Sequence, residues 1–365
     1  MAKKRQKSYF DYPMLFIVLI LVGFGLVMIY STSAYTSTVR YGNTTHWLLR
    51  QALIAAMSLV IMFGITRPDY RILKNRAVAI GCYVVAAGSL GLVLLLGVAT
   101  KGSKRWISVA GIQLQPSEFA KVFLIIYLAY SLSVNSHKIR TFRDAMVWVI
   151  KCVPIIVLVI VENLSTAIVL SAITGILIFV ISPCTKQLVA FACSIVALGA
   201  AYINFGPGYR MERIEIWLHP ESHEKGLQTM QALYAIGSGG IFGKGLGQSM
   251  QKMGFIPESH NDMIFSIICE ELGLFGAIAV IAMFLLLIWR ILIIAMNAPD
   301  LFGSLIAIGV AVHVGVQMII NIGVVTNLLP PTGIPLPFIS YGGSSLMALL
   351  MEMGLVLSVS RRIKV

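Results

Sequence analysis

The sequence predicts an all-α polytopic membrane protein with about ten transmembrane helices. Of its 365 residues, 58% are hydrophobic and only 12% are charged, whereas a soluble domain carries about 25% charged residues. Mean hydropathy is +0.87. A helix of about 20 apolar residues is long enough to cross a bilayer. Runs of this kind occur at about 13–34, 47–66, 77–99, 116–134, 145–162, 164–182, 187–205, 262–289, 301–327 and 341–360.

The runs predict helices because they lack the apolar–polar alternation of barrel strands. They leave no room for a soluble module, so residues 1–365 form a single membrane domain. One connection, at about 206–260, is far longer than the others and is expected to be functional. The first run follows "MAKKRQK" and exceeds the apolar core of a cleaved signal peptide, so we expect it to remain as the first span.

The distribution of basic residues predicts the orientation, since short cytoplasmic loops are enriched in Lys and Arg. Cytoplasmic N- and C-termini place the majority of them inside and make the long loop extracytoplasmic. The inside set comprises Lys3, Lys4, Arg5, Lys7, Arg67, Arg71, Lys74, Arg76, Lys138, Arg140, Arg143, Lys186, Arg290, Arg361, Arg362 and Lys364. The net charge of +13 therefore reflects this bias and attraction to membrane lipid, and we expect no nucleic-acid partner.

Carboxylates inside or beside apolar runs are candidates for function, because a charge in the bilayer is costly. They are Glu118, Asp262, Glu270, Glu271 and Glu352. Asp262 is predicted in the first turn of the eighth span, at the outer surface. The helix N-terminus would favour its ionised form there. It is suited to be a base or a cation ligand, although a simple first-turn acid is the alternative.

The other acids of this stretch are expected to have structural roles. Glu270 lies about 12 Å along the helix axis from Asp262 and about 80° around it, so these two cannot form the close carboxylate pair of a glycosidase. Glu270 and Glu271 are instead expected to anchor helix packing through hydrogen bonds. Glu118 and Lys121 are three residues apart and can pair on one helix face. They form either an ion pair at a helix start or part of a polar cavity.

Basic residues on the outer side form a second candidate group. "TKGSKRW" contains Lys101 and Arg105, and the long loop contains Arg210, Arg213 and Lys244. They are either solvated loop charges or a cluster for an anionic ligand such as a phosphate. "GSGGIFGKGLGQ" around Lys244 lacks the spacing of a nucleotide-binding P-loop. Its glycines are expected to permit tight turns or close backbone approach to a ligand or lipid.

The last unusual stretch is "NLLPPTGIPLPFISYGGSS", residues 327–345. Its prolines and glycines exclude a helix, which predicts a rigid outer turn before the tenth span. Ser340, Ser344 and Ser345 are expected to cap that helix.

Seven motifs in order along the chain resemble the SEDS family (shape, elongation, division and sporulation), the group of FtsW, RodA and SpoVE. They are "STSAY", "KGSKRWISVAGIQLQPSEFAK", "NLSTA", "YRMERI", "GLQTMQALYAIGSGGIFGKGLGQSMQK", "IPESHNDMIFSIICEELG" and "GIPLPFISYGGSS". The short tails and several motifs resemble the FtsW/SpoVE branch more than RodA. Two departures are Met263, where Phe is common, and Glu162, where the family usually has Pro.

The resemblance implies a multi-pass enzyme of the bacterial cytoplasmic membrane, a peptidoglycan glycosyltransferase that polymerises lipid II, an undecaprenyl diphosphate disaccharide-pentapeptide. It implies a class B penicillin-binding protein as transpeptidase partner, together with divisome or sporulation proteins. Asp262 matches the family's presumed catalytic residue. The cofactor expectation is a divalent cation, Mg or Mn, at Asp262 and no organic cofactor. The expected substrate-binding residues are Lys101, Arg105, Glu118, Lys121, Arg210, Arg213, Gln231, Lys244, Ser340 and Ser344.

Two other function classes remain open on the sequence. A lipid II flippase would need its key charges near the middle of the bilayer, whereas Asp262 is predicted at the outer edge. A non-catalytic scaffold for a penicillin-binding protein would not need this carboxylate.

Overall fold

The computed structural model describes residues 9–100, 103–109, 112–194, 215–223 and 226–364. Within them it is predominantly helical. The helices, in chain order, are α1 (Tyr12–Tyr41), α2 (His46–Thr66), α3 (Arg76–Leu96), α4 (Pro116–Asn135), α5 (Phe142–Glu162), α6 (Leu164–Ile181), α7 (185–194), α8 (215–218), α9 (Leu227–Gly239), α10 (Ile264–Met296), α11 (Leu301–Val325) and α12 (Gly343–Ser360).

Nine of these described helices are long and apolar enough to cross a membrane: α1 to α6 and α10 to α12. They match nine of the ten predicted runs and confirm the prediction of a polytopic helical membrane protein. The remaining run, 187–205, extends beyond the described residues, and its described part belongs to α7.

Several helices begin where the sequence offers a side-chain acceptor for their free N–H groups. Asp11 accepts from the N–H of Met14 at 2.9 Å, and Asp300 accepts from Gly303 at 2.9 Å. Thr141 and Asp144 form a capping box before α5. Gly42, in a left-handed conformation with φ 68°, ends α1.

The first and last described residues of the chain lie at the same face of the protein. The N–H of Tyr9 donates to the carbonyl of Ile363 at 3.4 Å, and the N–H of Asp11 donates to Ser360 Oγ at 3.4 Å. Arg290, near the C-terminal end of α10, pairs with Asp11 at 2.7 Å. This arrangement agrees with two cytoplasmic termini.

On the outer side, the connection between α3 and α4 forms a small antiparallel sheet rather than a plain loop. Its strands are β1 (Val98–Thr100), β2 (Ser103–Val109) and β3 (Ile112–Leu114), in the order β1-β2-β3. In register, Val98 faces Trp106 and Ile107 faces Leu114. The sheet carries Arg105 on its central strand.

The long outer loop contains a re-entrant segment, which we define as residues 240–262. It follows α9 and makes backbone hydrogen bonds beside α10, two turns below the first residue of that helix. Lys244 N–H donates to Glu270 O at 3.0 Å, and Gly245 N–H donates to Glu271 O at 2.9 Å. Part of the predicted extracytoplasmic loop therefore lies against the outer half of a membrane-spanning helix.

Glycines explain how the re-entrant segment approaches α10 so closely. Gly243 has φ +77°, and a Cβ there would overlap the backbone of Glu271. Gly273 has φ +67°, interrupts the helical geometry of α10, and would collide with Ile241 if it had a side chain. The glycines therefore permit a close backbone approach, but the partner that the structure shows is the backbone of α10 rather than the ligand or lipid that the sequence suggested.

The segment 327–342 also packs inside the protein, where a rigid outer turn was expected. A Cβ on Gly25, in the middle of α1, would lie 2.6 Å from the carbonyl oxygen of Phe338. Phe338 itself has φ +61°, a strained conformation for a bulky residue. Irregular backbone at this depth needs internal hydrogen bonds. Gln317 supplies one by donating to Pro335 O at 2.9 Å.

The predicted capping of the last span by serines is wrong. The residue that caps α12 is Gly342, and no side chain bonds to the first turn. Ser340 Oγ instead accepts from Leu336 N–H at 2.8 Å, inside the 327–342 segment. Ser344 Oγ accepts from Gln115 N–H at 3.0 Å, which ties α12 to the start of α4.

We predict that Gly243→Ala destabilises the protein by about 1–3 kcal/mol, because the new Cβ combines a positive φ with a backbone overlap. Gly237→Ala is the matched control in the same region. It lies within α9 with nothing within 4 Å of a new Cβ, so its stability should be equal or slightly higher. Thermal unfolding of the detergent-purified variants measures the difference. Equal melting temperatures for the two variants would contradict the close packing.

Candidate active site at the outer membrane surface

Asp262 lies in a turn that ends just before α10, whose first residue is Ile264. It is therefore not in the first helical turn, as the apolar pattern had indicated, because the helix starts two residues later. The residue is half-buried. Its backbone carbonyl accepts from Asn321 Nδ2 at 2.8 Å, and the same amide donates to Ile334 O at 2.8 Å. Asn321 thus joins the turn of Asp262 to α11 and to the 327–342 segment.

The residues before Asp262 fix the turn from two further sides. Ser259 Oγ donates to Thr32 O on α1 at 3.3 Å. The carbonyl of His260 accepts from Tyr341 N–H at 2.9 Å. Together with the bond to the Asp262 carbonyl, these contacts fix the backbone that carries the carboxylate before any ligand binds, an arrangement called preorganisation.

Three aromatic rings gather beside this turn. Trp47, in the first turn of α2, lies 5.2 Å from the ring of His260 and 5.0 Å from that of Tyr341. The rings of His260 and Tyr341 are 5.5 Å apart. The sequence analysis missed this cluster. The available signal was weak, namely aromatic residues in "HWLLR" and "FISYGG" at two predicted span starts.

Below Asp262, Glu271 is fully buried and paired. Lys252 Nζ donates to Glu271 Oε1 at 2.7 Å, and Ser31 Oγ on α1 donates to the same carboxylate at 2.7 Å. Lys252 is itself only 5% exposed. The contacts among Ser31, Lys252 and Glu271 therefore hold α1, the re-entrant segment and α10 together.

Glu270 forms a second anchor for the re-entrant segment. It accepts from Lys244 Nζ at 2.7 Å, from Ser249 Oγ and from Met250 N–H at 3.2 Å. The prediction that Glu270 and Glu271 anchor packing through hydrogen bonds is confirmed. Lys244, expected among the substrate-binding residues, lies in this ion pair with its side chain 35% exposed.

Glu118 and Lys121 form a buried ion pair of 3.0 Å at the start of α4. Lys121 Nζ also donates to Gln317 Oε1 at 3.4 Å. The chain of contacts continues from Gln317 to His313 at 2.9 Å and from His313 to Glu352 at 2.7 Å. The pair is thus part of a polar network that connects α4, α11 and α12.

Of the predicted site residues not yet placed, the structure describes Arg105 and Gln231. Arg105 is half-buried, and its Nε donates to Glu162 O at 2.7 Å. Gln231 is half-buried in α9. Lys101, Arg210 and Arg213 lie outside the described residues.

A metal site requires several side chains that can act as ligands close together. Among the described residues, no three or more His, Cys, Asp or Glu side chains lie together in a way that could hold a metal ion. The described part of the chain therefore offers no multi-ligand metal centre, and we assign no chemical step to a cation.

These features define a class of protein: a polytopic membrane protein with a preorganised carboxylate at its outer surface. A family model described as "Cell cycle protein", FTSW_RODA_SPOVE, matches residues 12–365. The chain belongs to the FtsW/RodA/SpoVE family.

Relatives cover the full length of the chain. It is 37% identical to the probable peptidoglycan glycosyltransferase FtsW of Trichlorobacter lovleyi, over 100% of this chain and 96% of that protein. It is 38% identical to stage V sporulation protein E of Bacillus subtilis, over 98% of each.

Solved structures share the fold. A chain from a structure described as "Structural coordination of polymerization and crosslinking by a peptidoglycan synthase complex" superposes with a TM-score of 0.83 at 29% identity, covering 97% of this chain and 98% of that chain. The crystal structure of the rod shape determining protein RodA of Thermus thermophilus gives a TM-score of 0.72 at 28% identity, covering 97% of each chain.

Proposed function

We propose that this protein is a peptidoglycan glycosyltransferase that polymerises lipid II into glycan strands at the outer face of the cytoplasmic membrane, in cell division or sporulation. The observation that carries the proposal is Asp262, a half-buried carboxylate in a turn fixed by Asn321, Ser259 and His260. The names of the two relatives, FtsW and stage V sporulation protein E, support the reaction and its cellular setting.

Asp262 acts as the general base in this proposal. The 4-hydroxyl of the acceptor sugar gives its proton to the carboxylate while its oxygen attacks the anomeric carbon of the donor. The bond from that carbon to the diphosphate breaks, and the electron pair leaves with the diphosphate. Direct displacement inverts the anomeric centre from α to β. A positioned base of this kind contributes about 10²- to 10⁴-fold to the rate.

The departing diphosphate needs compensating positive charge. Arg105 is the best-placed described candidate, because it lies half-buried on the central strand of the outer sheet, where its Nε donates to Glu162 O. Lys101, Arg210 and Arg213 complete the proposed set. The proposal keeps six further substrate-binding residues: Glu118, Lys121, Gln231, Lys244, Ser340 and Ser344.

The proposed partner is a class B penicillin-binding protein, a transpeptidase that cross-links the new strands. The structural neighbour from a peptidoglycan synthase complex supports it, since that work describes coordinated polymerisation and crosslinking. Divisome or sporulation proteins would recruit the pair.

The flippase alternative is less well supported. A translocation path needs charges that can exchange partners near the middle of the bilayer. The described carboxylates Glu118, Glu270 and Glu271 are each held in an ion pair by a lysine, which suits a fixed framework.

We predict that Asp262→Asn lowers glycan-strand formation by about 10²-fold or more, because the amide cannot accept the proton. The assay uses purified protein with lipid II, with and without a class B partner. Glu221→Gln, which neutralises an exposed carboxylate of the same outer loop, is the matched control and should retain activity. Normal strand formation by Asp262→Asn would reject the general-base assignment, whereas lipid II translocation without polymerisation by the unmodified chain would favour the flippase.

Arg105→Gln should reduce polymerisation roughly 10²-fold, as expected for the loss of one charge-stabilising group. The reduction should appear in kcat as well as KM, since charge on the diphosphate grows as the bond breaks. Arg40→Gln, at the exposed outer end of α1, provides a control of equal charge change. Equal kinetics for the two variants would remove Arg105 from the diphosphate role.

A divalent cation, Mg or Mn, remains a proposal. Mg²⁺ is often held by one or two carboxylates together with substrate phosphates, so Asp262 could contribute when lipid II is present. Activity that is lost in excess EDTA and returns on addition of Mg²⁺ or Mn²⁺ would support this requirement. Unchanged activity in EDTA would reject it.

A further inference from the structure

A polar cavity of about 110 Å³ lies at the cytoplasmic face, between the ends of α2 and α12. Its lining residues are Thr66, Arg67, Pro68, Ser358, Arg361 and Arg362. Three of them carry guanidinium groups and none carries a carboxylate. The cavity is on the opposite side of the membrane from Asp262, so the site argued below does not depend on the proposed enzymatic reaction.

The hydroxyl groups of the cavity are already used by the protein. Thr66 Oγ1 donates to Met62 O at 2.8 Å. Ser358 Oγ donates to Pro68 O at 2.8 Å and accepts from Tyr70 N–H at 3.1 Å. These bonds fix the floor of the cavity and leave the guanidinium groups as the donors available to a ligand.

The arginines retain most of their hydrogen-bonding capacity. Arg361 Nη1 donates to Thr66 O at 3.2 Å, and Arg362 Nε pairs with Asp69 at 3.1 Å. Within the described part of the chain, the guanidinium of Arg67 has no hydrogen bond or ion pair. A guanidinium has five N–H donors. Among the described residues, these three arginines make one ion pair with a carboxylate, that of Arg362 with Asp69. The excess of positive charge favours a phosphate.

Arg67 is also the end of an apolar stripe on α2. Met57, Val60 and Phe63 are exposed large hydrophobic residues at spacings of three, and Arg67 follows four residues after Phe63. Residues at these spacings share one helix face. Because α2 crosses the membrane, this face meets acyl chains, and the stripe leads directly to the arginine at the level of the cytoplasmic headgroups.

We propose that the cavity formed by Arg67, Arg361 and Arg362 binds the phosphate of an anionic phospholipid whose acyl chain lies along Met57, Val60 and Phe63. The apolar stripe selects a lipid over a soluble phosphate, and the excess of guanidinium charge selects an anionic lipid over a zwitterionic one. Basic pockets between transmembrane helices on the cytoplasmic side are suited to such headgroups. Nearby Arg71 does not line the cavity; it pairs with Asp300 at 2.9 Å.

The test uses the full chain in an uncharged detergent and native mass spectrometry. The probes are phosphatidylglycerol, phosphatidylcholine with the same acyl chains, and inorganic phosphate. We expect phosphatidylglycerol adducts at least fivefold more abundant than phosphatidylcholine adducts. Arg67→Gln/Arg361→Gln should reduce them at least fivefold. Arg140→Gln/Arg143→Gln, which removes the same charge from the same membrane face, should keep them.

Each other outcome overturns part or all of the site. Equal adducts with both lipids would reject anionic selectivity, and displacement of the lipid by inorganic phosphate at equal concentration would reject the role of the apolar stripe. An equal loss of phosphatidylglycerol adducts in both double variants would show that general surface charge, and not this cavity, binds the lipid. If the Arg361 change prevents folding, the single variant Arg67→Gln tests the site, because the Arg67 side chain makes no described bond that folding needs. Undiminished adducts in that variant would reject the site.

Discussion

The burial of Glu270 and Glu271 within the outer half of α10 is the constraint on which the arrangement of the site depends. Two adjacent carboxylates at this depth must be neutralised, since an uncompensated buried charge is strongly destabilising. Both cations, Lys244 and Lys252, come from the re-entrant segment. The segment that precedes Asp262 is therefore held against α10 by charge pairing, and the glycines at Gly243 and Gly273 make this approach sterically feasible.

From this constraint the position of Asp262 follows. The re-entrant segment leaves its two anchors, passes Ser259 at α1 and His260 at Tyr341, and reaches Asp262 directly before α10 begins. Asn321 then joins the turn to the 327–342 segment. A carboxylate carried on a free loop would need ordering at each turnover. Here the backbone of the turn is fixed before any ligand binds, as the general-base role proposed for Asp262 requires.

The sequence predicted the spans and the position of Asp262 close to the start of α10 because both depend on local signals. Apolar runs of bilayer length identified the helices, and "HNDMIFSIICEELG" placed one acid at the outer edge with two below it. The sequence could not predict that the glycine-rich loop and the 327–342 segment pack inside the protein. A glycine pattern does not reveal which backbone the glycines will approach. The serine caps were wrong for a related reason: Ser340 and Ser344 bond to distant backbone that becomes adjacent only after folding.

The pairing of Lys252 with Glu271 is the claim that a double-mutant cycle tests most directly. Lys252→Met and Glu271→Leu should each destabilise the protein by about 3–5 kcal/mol, because each leaves the other charge buried and unpaired. The combination removes both charges, so the double variant should regain most of the stability that each single variant loses. Thermal unfolding measures this, and the coupling energy should exceed about 1 kcal/mol. Simple addition of the two losses in the double variant would contradict the account, as would single variants as stable as the unmodified protein.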